Sequence, residues 1–125
     1  MSKLIIPSTF KTPEINLDDE IGVLRISGRV FPENPNAYFE PIITWISEYA
    51  KAPRQETTLI FFLTYFNSSA NEYLFRCCKK MEEIFQNGHL AKIVWEYESE
   101  DEDMEQMGED YKELLKINFE IKSIK

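Results

Sequence analysis

The chain has 125 residues, 43% hydrophobic and 14% aromatic, so residues 1–125 are read as one globular domain with its own core. Twenty-two acidic residues against 14 basic ones give a formal net charge of −8, without any lysine–arginine cluster. Nucleic acid and anionic membranes require such clusters, so neither is expected as a partner.

Met1-Ser2-Lys3-Leu4-Ile5-Ile6-Pro7 lacks the apolar stretch of a signal peptide. Nor is there a run of roughly 18 consecutive apolar residues, so a cytoplasmic location is expected.

Residues 9–17 predict an edge strand weakened by Pro13, followed by the polar turn Asp18-Asp19-Glu20. Residues 21–28 alternate better, with Val23, Leu24 and Ile26 flanking Arg25 and Ser27, so the chain opens on a β-hairpin. Asn34 is a natural helix N-cap and Pro35 suits the first helical position. That helix reaches about Ala50, with Phe39, Ile42, Ile43, Ile46, Tyr49 and Ala50 on its buried stripe. Pro41 falls in its second turn, so the helix either kinks there or begins winding nearer Phe39.

Residues 59–66 are almost continuously apolar and read as a strand buried on both faces. Leu74, Cys77, Cys78, Met81, Ile84 and Phe85 then mark the inward stripe of a second helix, closed by Gly88. Between strand and helix lies Asn67-Ser68-Ser69, a tight turn in which Ser69 is the expected N-cap. A strand follows over residues 90–97. The acidic stretch after it opens a third helix carrying Met104, Met107, Tyr111, Leu114 and Leu115, and residues 117–122 close the chain as a strand. The order β-β-α-β-α-β-α-β predicts an α/β fold, a mixed sheet of about five strands with three helices covering it.

Catalytic readings fail on residue types. His89 is the only histidine and follows a helix-ending glycine, which favours an exposed turn. The adjacent Cys77 and Cys78 point about 100° apart on a helix and read as core thiols. No glycine-rich phosphate cradle and no G-x-S-x-G elbow occur. The carboxylates from Glu96 to Glu105 lack the glycine and ligand spacing of a calcium loop. No catalytic residue, cofactor or metal is therefore expected. Trp45 and Trp95 read as core or near-core.

Asn67-Ser68-Ser69 admits two readings: a helix cap and nothing more, or a phosphorylation site. A phosphoserine brings about −1.5 to −2 charges to a helix N-terminus, where free N–H groups and the helix dipole favour an anion.

Gly28-Arg29-Val30-Phe31-Pro32-Glu33-Asn34 resembles the G-x-x-(Tyr/Phe)-Pro-Glu-Asn signature of the SiaC family of bacterial regulatory phosphoproteins. Leu63-Thr64-Tyr65-Phe66-Asn67-Ser68-Ser69 resembles the same family's Tyr-(Phe/Leu)-Asn-(Thr/Ser)-Ser segment. Ile6-Pro7-Ser8-Thr9 with Thr12-Pro13, and Val94-Trp95-Glu96-Tyr97, fit it too, so the resemblance spans essentially the whole chain.

The resemblance implies a fold like that of anti-sigma-factor antagonists (STAS-like). It also implies a non-enzymatic switch, phosphorylated by a partner Ser/Thr kinase and reset by a phosphatase. The unphosphorylated form would bind and activate a diguanylate cyclase, raising cyclic di-GMP and promoting biofilm. The family's phosphoacceptor falls on Ser68, with Ser69 the second choice. Phe31, Pro32, Glu33, Asn34, Asn67 and Ser69 are the implied partner-binding candidates. Two alternatives remain at this point: an anti-sigma-factor antagonist in a partner-switching pathway, or a small enzyme or metal-binding protein.

Overall fold

The strands lie in the sheet in the same order as in the chain. The computed structural model describes residues 1–124 and contains β1 (Leu4–Ile6), β2 (Glu14–Asp18), β3 (Val23–Val30), α1 (Pro35–Tyr49), β4 (Glu56–Phe66), α2 (Ser68–Gln86), β5 (Leu90–Glu98), α3 (Glu102–Leu114) and β6 (Asn118–Ile124). The sheet runs β1-β2-β3-β4-β5-β6. The β1–β2 and β2–β3 pairs are antiparallel, whereas β3 through β6 run parallel. The α/β class and the three helices agree with the sequence reading.

The strand count becomes six rather than about five, because Leu4–Ile6 pairs with Ile15–Leu17. Three residues are too few to show alternation. The edge strand expected over residues 9–17 is confined to Glu14–Asp18. Before it, the Thr9 hydroxyl accepts from the amides of Lys11 and Thr12, which holds that stretch in a turn. Gly22, at φ +70°, closes the hairpin, where a Cβ would lie 2.4 Å from the Glu56 carbonyl oxygen.

All three helices cover one face of the sheet. Tyr49 of α1 hydrogen-bonds Thr57 of β4 at 2.8 Å, and Thr57 pairs with Ala91 in the buried row leading to Trp95. Trp95 in turn packs on Tyr111 of α3, with ring centroids 4.9 Å apart. Helix α2 sits between, its Asn71 joined to the Tyr111 hydroxyl. The continuous apolar run of β4 is therefore not buried on both faces. Thr57, Leu59, Phe61 and Leu63 turn into the core, while Ile60 and Phe62 are half-buried on the face without helices. There Arg25 of β3 reaches across β4 to Glu96 of β5 at 3.4 Å, and this side-chain cover substitutes for a second layer.

Regular winding of α1 begins at Pro35, not nearer Phe39. Pro41 lies on its exposed side, where losing one backbone bond leaves the Ala37 carbonyl to solvent. Cys77 and Cys78 are both fully buried, and burial pushes the Cys77 thiol up to about 12, so it stays protonated at neutral pH. His89 is half-buried rather than exposed. Its amide donates to the Ile84 carbonyl, folding it back on the end of α2, and its enclosed Nδ1 has no hydrogen-bond partner among the described residues. The buried Glu82 accepts from the Lys116 amide and pairs with Lys79 at 2.7 Å, tying α2 to the turn before β6.

Trp95 is the hub of the core. Its ring is fully buried among Phe61, Phe66, Tyr111 and Phe119, and its Nε1 donates to the Met104 carbonyl at 3.0 Å. Gly108 lets α3 approach: a Cβ there would sit 2.6 Å from Trp95 Cδ1. Gly108→Ala is expected to destabilise the protein by about 1–3 kcal/mol through overpacking. Urea unfolding checks this, and an unchanged midpoint would contradict the close approach.

Candidate functional site

The two motifs, more than thirty residues apart in sequence, meet where β3 and β4 end side by side. The Asn67 amide donates to the Val30 carbonyl at 3.3 Å, joining the start of one loop to the other. A register shift between Gly28 and Arg29 pairs Arg29 with Tyr65 and Val30 with Phe66. On β4, Thr64 and Tyr65 are consequently both exposed, and Phe66 turns back toward Trp95.

Tyr65 thereby joins an aromatic ladder on the surface. Phe31 packs edge-on against Tyr65 at 5.6 Å and against Phe10 at 5.7 Å. The Arg29 guanidinium lies 4.3 Å above the Phe10 ring. Phe10 is 66% exposed and Tyr65 51%, which is unusual for adjacent large aromatics. The Phe31 amide is held by the Lys11 carbonyl at 2.8 Å, so the ladder has a fixed backbone.

The remaining candidates divide by role. Pro32 is buried and Glu33 is exposed, pairing with Lys11 at 3.5 Å. Asn34 caps α1 by accepting from the Ala37 amide at 3.2 Å, so its side chain is occupied by helix entry. Phe31 and Glu33 thus present side chains at this edge, whereas Pro32 and Asn34 shape the loop. Asn36 accepts from the Tyr73 hydroxyl at 3.5 Å, linking the first turn of α1 to the second turn of α2.

The N-cap of α2 is Asn67, not Ser69. Its side-chain oxygen accepts from the Ala70 amide at 2.9 Å, and its carbonyl accepts from the Asn71 amide at 3.1 Å. The extended backbone of Asn67, φ −90° and ψ 174°, makes it the hinge between strand and helix. Ser68 and Ser69 therefore occupy the first two helical positions, and both are exposed. Their amides have no acceptor one turn back, so two free donors sit at the positive end of a 19-residue helix.

The charges around this edge are largely committed. Lys11 is held by Glu33, Arg29 by the Phe10 ring, and Arg76 by Glu72. Asp101 and Asp103 line the hollow beside Tyr65 and Phe66. Among the described residues, no three of His, Cys, Asp or Glu come together as a metal site, and no helix is long and apolar enough to cross a membrane.

Comparison with known proteins places the chain in a family. The model of the SiaC family of regulatory phosphoproteins matches residues 6–124. The chain belongs to the SiaC family. It is 28% identical over 123 residues to an uncharacterised protein of Pseudomonas aeruginosa (strain UCBPP-PA14), covering 98% of each. It is similar to the crystal structure of apo-SiaC from Pseudomonas aeruginosa, with a TM-score of 0.91 at 28% identity over 98% of this chain and 99% of that one. It is equally similar, with a TM-score of 0.91 at 27% identity over 97% and 99%, to a chain in the crystal structure of the diguanylate cyclase SiaD in complex with its activator SiaC, also from Pseudomonas aeruginosa.

Sequence reasoning missed Phe10 and Arg29 as members of this edge. Phe10 stands in an irregular segment without periodicity, and only the fold shows that it meets Phe31.

The cap assignment makes a paired prediction. Asn67→Ala should cost about 1 kcal/mol, whereas Ser69→Ala should change stability by a few tenths at most. Ser68→Asp should leave stability unchanged or raise it by about 0.3–1 kcal/mol through the helix dipole. Denaturant unfolding of the three variants measures all of these; a larger loss for Ser69→Ala than for Asn67→Ala would refute the assignment.

Proposed function

We propose that this SiaC-family chain is a switch protein without catalysis of its own, whose unphosphorylated form binds and activates a diguanylate cyclase. Phosphorylation of Ser68 by a cognate Ser/Thr kinase ends that binding, and a phosphatase restores it. The carrying observation is the full-length likeness to SiaC, the activator in the SiaD complex.

The geometry supplies a physical route. Ser68 is exposed at the first position of α2, next in the chain to the rim that carries Tyr65 and Phe31. An exposed aromatic surface suits a partner that buries it. A phosphate at its border adds about −1.5 to −2 charges and a tightly held water shell. Lys11, Arg29 and Arg76 are each paired already, so none of them neutralises the added charge, which an approaching partner must desolvate. Phe31, Glu33 and Ser69 share this border as contact candidates, while Asn67 and Asn34 hold the loops that present it.

Incubation with the kinase and ATP should add one phosphate, mapped to Ser68 by peptide mass spectrometry. Ser68→Asp should weaken cyclase binding by at least roughly tenfold while Ser68→Ala binds normally. Equal binding by both variants would refute the switch, and a phosphate found only on Ser69 would refute the site.

A further inference from the structure

Helices α2 and α3 together line a groove of about 440 Å³. Its floor is apolar: Phe75 from α2, and Met107, Tyr111 and Leu114 from α3. A second hollow of about 280 Å³, between the end of β4 and the start of α3, shares Met107 with it.

The floor extends the stripe that holds α3 to the core. Met104, Met107, Tyr111 and Leu114 recur at helical spacing and span about 15 Å. Met104 and Tyr111 are buried, Met107 is half-buried and Leu114 is 67% exposed. The same apolar stripe thus begins in the core and ends uncovered in the groove.

Charge selects what fits there. Glu72, Asp101, Asp103 and Asp110 rim the two hollows, against the single cation Arg76, which is paired with Glu72. A second copy of this chain would bring the same acidic rim and a net charge of −8, and an anionic lipid surface would be repelled as well. A segment with apolar residues at helical spacing and lysine or arginine on both flanks matches floor and rim together.

We infer that the α2–α3 groove docks a basic-flanked amphipathic helix of a protein partner, at a surface separate from the aromatic ladder beside Ser68. The two surfaces answer oppositely to charge at Ser68. Added negative charge opposes a partner that buries the ladder, but it does not oppose a basic helix lying along α2 and α3. This site stands whether or not Ser68 is the switch.

The probe is a synthetic amphipathic peptide of leucine and lysine, about 14 residues long, titrated into the isotope-labelled full chain and followed by amide chemical shifts. A leucine–glutamate peptide with the same apolar pattern is the control. Saturable shifts confined to residues 71–76 and 101–114 are expected, with the glutamate peptide at least roughly tenfold weaker. Leu114→Lys, at an exposed helix C-terminus where a cation is tolerated, should weaken the lysine peptide at least about tenfold. Asp110→Asn keeps the apolar floor intact and should weaken it several-fold. Ser68→Asp should bind the peptide as well as the parent or better.

Shifts scattered over the acidic surface, undiminished binding by Leu114→Lys and Asp110→Asn, or loss of binding in Ser68→Asp would each overturn the inference. Cyclase binding by Leu114→Lys reads the two proposals separately: if it is retained the surfaces are distinct, and if it is lost they are one.

Discussion

Four parallel strands laid down in chain order leave each crossover the same route. A right-handed connection between neighbouring parallel strands returns over one face, so successive crossovers place α1, α2 and α3 in a single layer. The N-termini of all three helices consequently open at the same sheet edge. Asn34, Asn67 and Asp101 cap them there with the same side-chain-to-backbone geometry. The place of the candidate site follows from the topology before any special residue is considered, and Trp95 with Gly108 keeps the third helix close enough to complete the layer.

Asn67 sets the local geometry at that shared end. One residue ends β4 against Val30, caps α2 through its side chain and starts the helix through its carbonyl. Ser68 is thereby free of structural duty, exposed beside two unpaired amides. A group that carries no load can be modified without unfolding the protein. A phosphate placed there would be tolerated by the helix dipole locally, and its effect would fall on whatever approaches from outside. This separates the residue that builds the turn from the residue proposed to be switched.

Much of this was legible in the sequence because the signals were local. Asn34-Pro35 announced the start of α1, and Gly88 the end of α2, where it adopts φ +97°. The α/β class followed from alternating periods. What escaped was non-local. Leu4–Ile6 is a strand only because β2 lies beside it. The apolar run of β4 suggested burial on both faces, yet an Arg25–Glu96 bridge covers its outer side instead of a helix layer. Ser69 had the composition of an N-cap, but the preceding asparagine took the role, and a one-residue boundary is beyond propensity. At the candidate site, motif resemblance singles out Ser68, Phe31 and Glu33, whereas Phe10 and Arg29 reach the ladder only through the folded sheet.

The central claim is that a phosphate at Ser68 acts on the partner and not on the fold. The direct measurement is calorimetric titration of a diguanylate cyclase with two preparations of this protein, unmodified and fully phosphorylated on Ser68, each also melted alone. The account predicts that both melt at the same temperature, or the phosphorylated form slightly higher, and that only the unmodified form binds. Equal binding by both forms, or loss of binding accompanied by a clearly lower melting temperature, would contradict it.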